Sequence, residues 1–431
     1  MKHLRLTSLL SAGLSIFSLW LSGCSPEDSP QSNFIPSSGW NVGDGGPVLA
    51  AHYMPWFNNP KTSARGRDEW SHWEWRGQSI VRDPRQLRAD GLRDIASVQY
   101  PLIGPYSSDN RAVVRYHLET AHAIGIHAFF VIWYGPGSDV DGLLPLILDE
   151  AQRIGMKVAI CYEEKLNWEP YRHPKSRAEI VRTAIKDLSY VLGEYAMHPA
   201  YLRRNGDPFI FQFNFWGSDT MGPRNILPTE WSQIFDALPH PVVYARQNLN
   251  PEYHPGIAAN YVWWTQDVTY LEDFADYSRS MVDSGQLDFF MNMIAPGFDD
   301  SGVDGWGHGT RALPREGLST LRDTFERSAR GAPEVIQLVT WNDFNEGTAL
   351  EPTVSDGFQY LDALETWFGE HSGRAVNLDD NREPLHRYLK SASAQQLAEV
   401  PTAAELIAAQ PSDLSVSTPN YLETLDRNKK L

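Results

Sequence analysis

Ala128-Phe129-Phe130-Val131-Ile132-Trp133-Tyr134 is an unbroken apolar run of strand length, rich in aromatic and β-branched residues, and it reads as a buried strand. Seven further runs share that character: Val48–Trp56, Lys157–Glu164, Pro208–Asn214, Pro241–Gln247, Ala259–Thr265, Phe289–Ala295 and Glu334–Asn342. Most are separated by segments of helical periodicity, among them Ala112–Ile124, Leu143–Ile154, Ser176–Tyr195 and Leu318–Ala329. Eight strands alternating with helices predict an α/β fold, a single (β/α)8 TIM barrel with extended loops after the first strand and before the last. The barrel is expected over 47–372, with a short helical tail over 373–431.

What precedes the barrel decides the compartment. Lys2 and Arg5 are followed by an apolar run, Leu9 to Leu21, too short to span a bilayer, so 1–23 reads as a signal peptide. Leu21-Ser22-Gly23-Cys24 resembles the lipobox of bacterial lipoproteins, which implies cleavage before Cys24 and its lipidation; an ordinary signal peptide with an incidental cysteine is the alternative. Residues 24–46 have the Ser, Pro, Gly, Asp and Asn content of a flexible linker. The resemblance implies a secreted protein anchored by lipid at the bacterial cell envelope, and Ser25 after the cysteine favours the outer membrane. The one other cysteine, Cys161, lies inside an apolar run and reads as a small buried hydrophobe, so neither a disulfide framework nor a cysteine zinc cluster is expected.

Formal charge is −17 and the basic residues are dispersed, which argues against a nucleic-acid partner. Tryptophan is abundant, 15 residues, and stands beside carboxylates in Glu69-Trp70-Ser71-His72-Trp73-Glu74-Trp75. Aromatic faces with carboxylates suit a carbohydrate site, although any single tryptophan fits a core position as well. Barrel enzymes place their chemistry at the carboxyl ends of the strands. Those ends supply His52 and Tyr53, Trp133 and Tyr134, Glu163 and Glu164, Asn214, Arg246 and Gln247, Trp263 and Trp264, Asp299 and Asp300, then Asn342, Asp343 and Glu346. Together they describe a pocket of carboxylates, amides and aromatics.

Glycosidic hydrolysis needs one carboxylic acid to protonate the leaving oxygen and a second group acting as nucleophile or base. Val339-Thr340-Trp341-Asn342-Asp343-Phe344-Asn345-Glu346-Gly347-Thr348 sets two carboxylates three residues apart just past a strand, with a glycine that lets the loop turn. Burial beside Trp341 would keep one of them protonated. A helix cap, Asp343 with Glu346 as its capping-box partner, fits the same spacing.

The stretch Trp341-Asn342-Asp343-Phe344-Asn345-Glu346-Gly347-Thr348-Ala349-Leu350-Glu351-Pro352 resembles the signature of glycoside hydrolase family 99, the endo-α-mannosidase and endo-α-mannanase family, and of the related family 71 α-1,3-glucanases. His52-Tyr53-Met54-Pro55-Trp56, Ile103-Gly104-Pro105-Tyr106, Ile132-Trp133-Tyr134-Gly135-Pro136-Gly137, Cys161-Tyr162-Glu163-Glu164, His198-Pro199-Ala200-Tyr201-Leu202 and Ala295-Pro296-Gly297-Phe298-Asp299-Asp300 agree in order, so the resemblance spans about 47 to 370. It implies Glu346 as the acid/base. It also sets Asp343 where family 99 has a glutamate, one methylene longer, that deprotonates the sugar 2-hydroxyl for attack on C1 through an epoxide-like intermediate. Asp in a Trp-Asn-Asp context is the family 71 form.

The expected function is hydrolysis of an α-linked mannan- or glucan-like polysaccharide or oligosaccharide. Glu164, Glu163 and Tyr134 would position hydroxyls, and Trp133 and Trp341 would stack on sugar faces. His52, Tyr53, Asn214, Asn342 and Asp300 complete the expected substrate contacts. No metal or organic cofactor is required, and the Asp299-Asp300 pair lacks the oxygen count for calcium. His308, between Gly307 and Gly309, reads as a solvated loop residue. The alternatives are a surface glycan-binding lipoprotein without turnover, or a barrel hydrolase or lyase for a β-linked or decorated glycan. An acidic glycan would call for arginines and lysines at the strand ends, where only Arg246 stands.

Overall fold

A computed structural model describes residues 39–42, 46–163, 176–213, 226–247 and 256–372. The expected signal peptide, Cys24, most of the linker, Glu164, Asn214 and the tail from 373 lie outside the described residues.

All eight expected strands form: β1 Val48–Tyr53, β2 Ala128–Trp133, β3 Lys157–Glu163, β4 Asp207–Phe213, β5 Val243–Arg246, β6 Ala259–Asn260, β7 Phe289–Ile294 and β8 Val335–Leu338. Each pairs in parallel with its sequence neighbour, and β1 pairs with β8 in the register Val48↔Val335, so the sheet closes into an eight-stranded barrel. The helices are α1 Arg111–Ala123, α2 Leu144–Ile154, α3 Arg177–Glu194, α4 Pro228–Ala237, α5 Tyr270–Asp283, α6 Ser319–Arg330 and α7 Gln359–Ser372. Local chemistry sets several ends. Asn110 caps α1 by accepting from the Ala112 N–H at 2.9 Å, Ser176 caps α3 through the Glu179 N–H, and Gly155 ends α2 at φ +83°.

Successive side chains on a strand point to opposite faces, and closure turns those faces into an inside and an outside. Leu49, Ala51 and Tyr53 of β1 and Phe129, Val131 and Trp133 of β2 belong to the core shared with the helices. Val48 and Ala50 of β1, Ala128, Phe130 and Ile132 of β2 and Ala159 and Cys161 of β3 fill the barrel interior. Cys161 is buried, as a small hydrophobe should be.

This alternation corrects three expected contacts. Trp133 is fully buried on the outer face, its Nε1–H donating to Asp141 Oδ1 at 2.9 Å. Tyr53 is likewise outward and hydrogen-bonds His117 Nδ1 at 2.9 Å. Trp341 packs into the same outer core with no exposed face. None of the three can stack on a sugar or touch one.

Replacing Trp133 by Phe should lower stability by about 1–3 kcal/mol, through lost volume and the loss of one of the two hydrogen bonds to Asp141 Oδ1, the Tyr195 hydroxyl keeping the other. Urea denaturation measures it, and an unchanged midpoint would place Trp133 at a surface.

Candidate active site

The chain leaves β8 into a turn that is fixed at nearly every residue. Thr340 Oγ accepts from the Asp343 N–H at 2.7 Å, and the Asp343 carbonyl accepts from the Thr348 N–H at 3.1 Å. Asn342 Oδ1 accepts from the Met54 N–H at 2.8 Å, while its Nδ2 donates to the Met54 carbonyl at 3.1 Å and to the Tyr106 hydroxyl at 3.0 Å. Asn345 Nδ2 donates to the carbonyls of His72 and Ala96, both at 2.8 Å. Gly347 sits at φ +63°, and a Cβ there would come within 2.7 Å of the Asp299 carbonyl oxygen, so glycine is required twice over. Between these anchors stand Asp343 and Glu346.

The helix-cap alternative is only half realised. Asp343 Oδ1 accepts from the Glu346 N–H at 3.0 Å, but residues 344–347 form a turn with no helix behind it. Glu346 does not reach back to Asp343; its Oε1 accepts from Trp306 Nε1 at 3.1 Å. Trp306 follows Asp304 and Gly305, and all three have φ between +52° and +59°. A tryptophan in the left-handed region is held there against its own preference by its surroundings, a strain typical of functional sites.

Burial raises both carboxyls. Asp343 is 2% exposed and its pKa lies well above the usual carboxylate range, first because of desolvation and then because of Glu346; the N–H groups of Glu346 and Asn345 oppose the rise. Glu346 is raised to about 7 by desolvation, with Asp300 and Glu163 adding to the shift and Arg311 and Trp306 opposing it. Arg311 stands 4.0 Å from Glu346 Oε1. The two carboxyls therefore titrate as a pair that retains a proton near neutrality. That is the state an acid/base couple needs.

The other expected contacts divide. Glu163 faces the interior in phase with Ala159 and Cys161, near enough to raise Glu346 electrostatically. Tyr134 lies just past β2, half-buried, and lines a cavity of about 430 Å³. His52 is corrected: it is 1% exposed, packed edge-on against Phe130, Phe211 and Trp263, and bonded to Gln337 Oε1 at 2.8 Å. Burial drops its pKa to about 3, so it is neutral core. Asn342 is corrected too, since its amide is bonded to the protein. Asp300 is fully buried and gives both oxygens to Arg311, Oδ1 to the main-chain N–H at 2.6 Å and Oδ2 to Nε at 2.9 Å, so it positions an arginine rather than a sugar. His308 is exposed on its loop, as expected.

Four residues around the carboxylates were not singled out from the sequence: Trp56, His72, Trp306 and Arg311. Trp56 stacks on His72 with centroids 4.5 Å apart, and His72 Nδ1 lies 3.3 Å from Asn345 Oδ1. His72 also has positive φ, +60°. Flanking glycines at 305 and 307 were the available signal for Trp306.

Glu346 has a folded pKa of about 7 against a usual 4.5. A carboxyl raised on folding contributes stability that is complete below the unfolded pKa and lost as pH rises through the folded one. Glu346→Gln should therefore exceed the parent in stability at pH 8, by at most about 3 kcal/mol, and match it near pH 4. Urea denaturation at both pH values checks this; a gap independent of pH would contradict the raised pKa.

Residues 47–240 match the family model described as glycosyl hydrolase family 99. Glycoprotein endo-alpha-1,2-mannosidase of Mus musculus is 23% identical over 380 residues, covering 80% of this chain and 74% of that protein. The glycoprotein endo-alpha-1,2-mannosidase-like protein of Homo sapiens is 24% identical over 352 residues, 73% of this chain and 71% of its own. The solved GH99 endo-alpha-mannosidase of Bacteroides thetaiotaomicron shares the fold, with a TM-score of 0.60 at 21% identity over 75% of this chain and 97% of that one. With two buried carboxyls of raised pKa at the carboxyl end of the barrel, and a match to family 99 over residues 47–240, the first four strands, the chain is a glycoside hydrolase related to that family.

Proposed function

We propose that the chain hydrolyses internal bonds of an α-linked, mannan-like glycan, with Glu346 as acid/base and Asp343 as the base at the sugar 2-hydroxyl. The observation that carries this reading is the pair itself: two carboxyls on one anchored turn, both raised, one to about 7. Of the two placements of the pair's one proton, the reaction uses the one with Glu346 protonated and Asp343 ionised, and Glu346 gives its proton to the leaving glycosidic oxygen. Ionised Asp343 takes the 2-hydroxyl proton, and the freed oxygen attacks C1 as the glycosidic bond breaks. Glu346, now ionised, deprotonates the water that opens the strained intermediate, and the Asp343 proton returns to O2. The aspartate is one methylene shorter than the glutamate of family 99, so the sugar must sit correspondingly deeper against the turn. Tyr134, Trp56 and Trp306 border the cleft and supply aromatic faces in place of Trp133 and Trp341.

The envelope location belongs to the same proposal. Leu21-Ser22-Gly23-Cys24 supports a lipid anchor on Cys24, with 24–46 as a tether that holds the barrel out from the outer membrane of a bacterium. No described helix is long and apolar enough to cross a membrane.

The test is a product screen of the chain from Ser25 onward against α- and β-linked mannans, α-1,3-glucan and algal polysaccharides. Oligosaccharide release from an α-linked member is expected, with kcat lowered about 10²–10⁴-fold in Glu346→Gln and in Asp343→Asn. Full activity in either variant would remove that residue from the mechanism. Tight glycan binding without cleavage would make the chain a binding protein.

A further inference from the structure

Against a net charge of −17, arginines that line a cavity stand out. Arg246, at the end of β5, is in phase with Tyr244 on the outer face and fully buried, its guanidinium over the Trp231 ring, so it does not enter the barrel mouth. Two other arginines enter from the long loop that follows β1.

Arg65 and Arg67 line the cavity of about 430 Å³ together with Trp56, His72 and Tyr134. The cavity's lining adjoins the catalytic turn: Trp56 stacks on His72, and His72 meets Asn345, the residue before Glu346. Arg65 donates to two main-chain carbonyls, Asp139 at 3.3 Å and Gly142 at 2.5 Å. Among the described residues no carboxylate pairs with its guanidinium. Arg67 pairs with Asp139, 2.9 and 2.5 Å, and more loosely with Glu69 at 3.8 Å. The Asp139 side chain is 78% exposed, so solvent screens the pair and an entering anion competes with Asp139 for the Arg67 guanidinium. Asp109, the other carboxylate of the lining, already accepts from Ser63 Oγ and from the N–H groups of Ala64 and Arg65. It is thereby committed to shaping the loop.

Two guanidinium forks in a cavity that also presents the rings of Trp56 and Tyr134 suit an anion better than a neutral hydroxyl. We propose that this cavity binds an anionic substituent, a sulfate, phosphate or carboxylate, on the sugar next to the cleaved bond, with Arg65 and Arg67 as its ligands. The inference rests on the glycan-hydrolase reading above and names the class of glycan within it.

The experiment compares kcat/KM on each charged glycan of the screen with that on its neutral counterpart, made by desulfation, by phosphatase treatment or by carboxyl reduction. The three arms identify the anion. Wild type should prefer one charged form by about tenfold, the size of one charge-assisted hydrogen bond. That preference should shrink as salt rises, a measurement that needs no variant. It should collapse in Arg65→Gln and Arg67→Gln, recover in part in Arg65→Lys, and persist in Arg88→Gln, a surface arginine paired with Asp90 away from the cavity. Equal or better cleavage of every neutral form would overturn this inference and leave the hydrolase reading standing. A preference untouched by the Arg65 and Arg67 variants would overturn the assignment of the cavity. Cleavage of no glycan at all would overturn the hydrolase reading and this one with it.

Discussion

The side-chain amide of Asn342 is the constraint on which the site depends. It accepts from the Met54 N–H and donates to the Met54 carbonyl, so the turn after the last strand is bonded to the chain just past the first. The β1–β8 ladder closes the barrel wall, and this amide closes its rim. Because Met54 is buried, losing the amide would strand two main-chain groups, each at about 1–3 kcal/mol. An asparagine that looked like a sugar ligand is instead what holds the carboxylates in place.

The rim is in turn tied to the helical layer. Tyr106 accepts from Asn342 and donates to Glu351 Oε2 at 2.8 Å; His117 on α1 lies 3.3 Å from the same oxygen and bonds Tyr53 on its other nitrogen. Every member of this chain is buried, so its partners have no water to fall back on and the geometry is held as a unit. On the opposite side Trp306 and Arg311 meet Glu346, and both lower its pKa against the desolvation that raises it.

The barrel was legible because each strand is a continuous apolar run, and four of the seven described helices because of their period, each of the four within about one residue of its observed bounds; α4, α5 and α7 were not singled out. The strand ends ran long where the tip residues are also apolar: Met54, Pro55 and Trp56 extend the first run but not the strand. Choosing adjacent tip residues as a pair, Tyr53 with His52 and Trp133 with Tyr134, ignored alternation, which sends one of each pair to the helices. Asp343 and Glu346 were visible as a spacing and stayed ambiguous with a cap until Trp306 was seen to take Glu346. Trp306 is 40 residues from Glu346 and His72 is 273 from Asn345, and only barrel closure makes either pair neighbours. Positive φ at a tryptophan and a histidine has no signature in composition. The signal before Cys24 and the site residues Glu164 and Asn214 fall outside the described residues and rest on the sequence.

The central claim is that one carboxyl of a coupled pair keeps its proton near neutrality, and titration of the carboxyl groups measures it directly. In a protein labelled at the carboxyl carbons of Asp and Glu, ¹³C resonances followed from pH 3 to 9 should include one with a midpoint near 7 that vanishes in Glu346→Gln. In that variant the remaining Asp343 resonance should titrate lower than in the parent, because its charged neighbour is gone. If every carboxyl in the parent titrated below about pH 5, the usual range, the turn would hold two ordinary carboxylates and the acid/base assignment would fail.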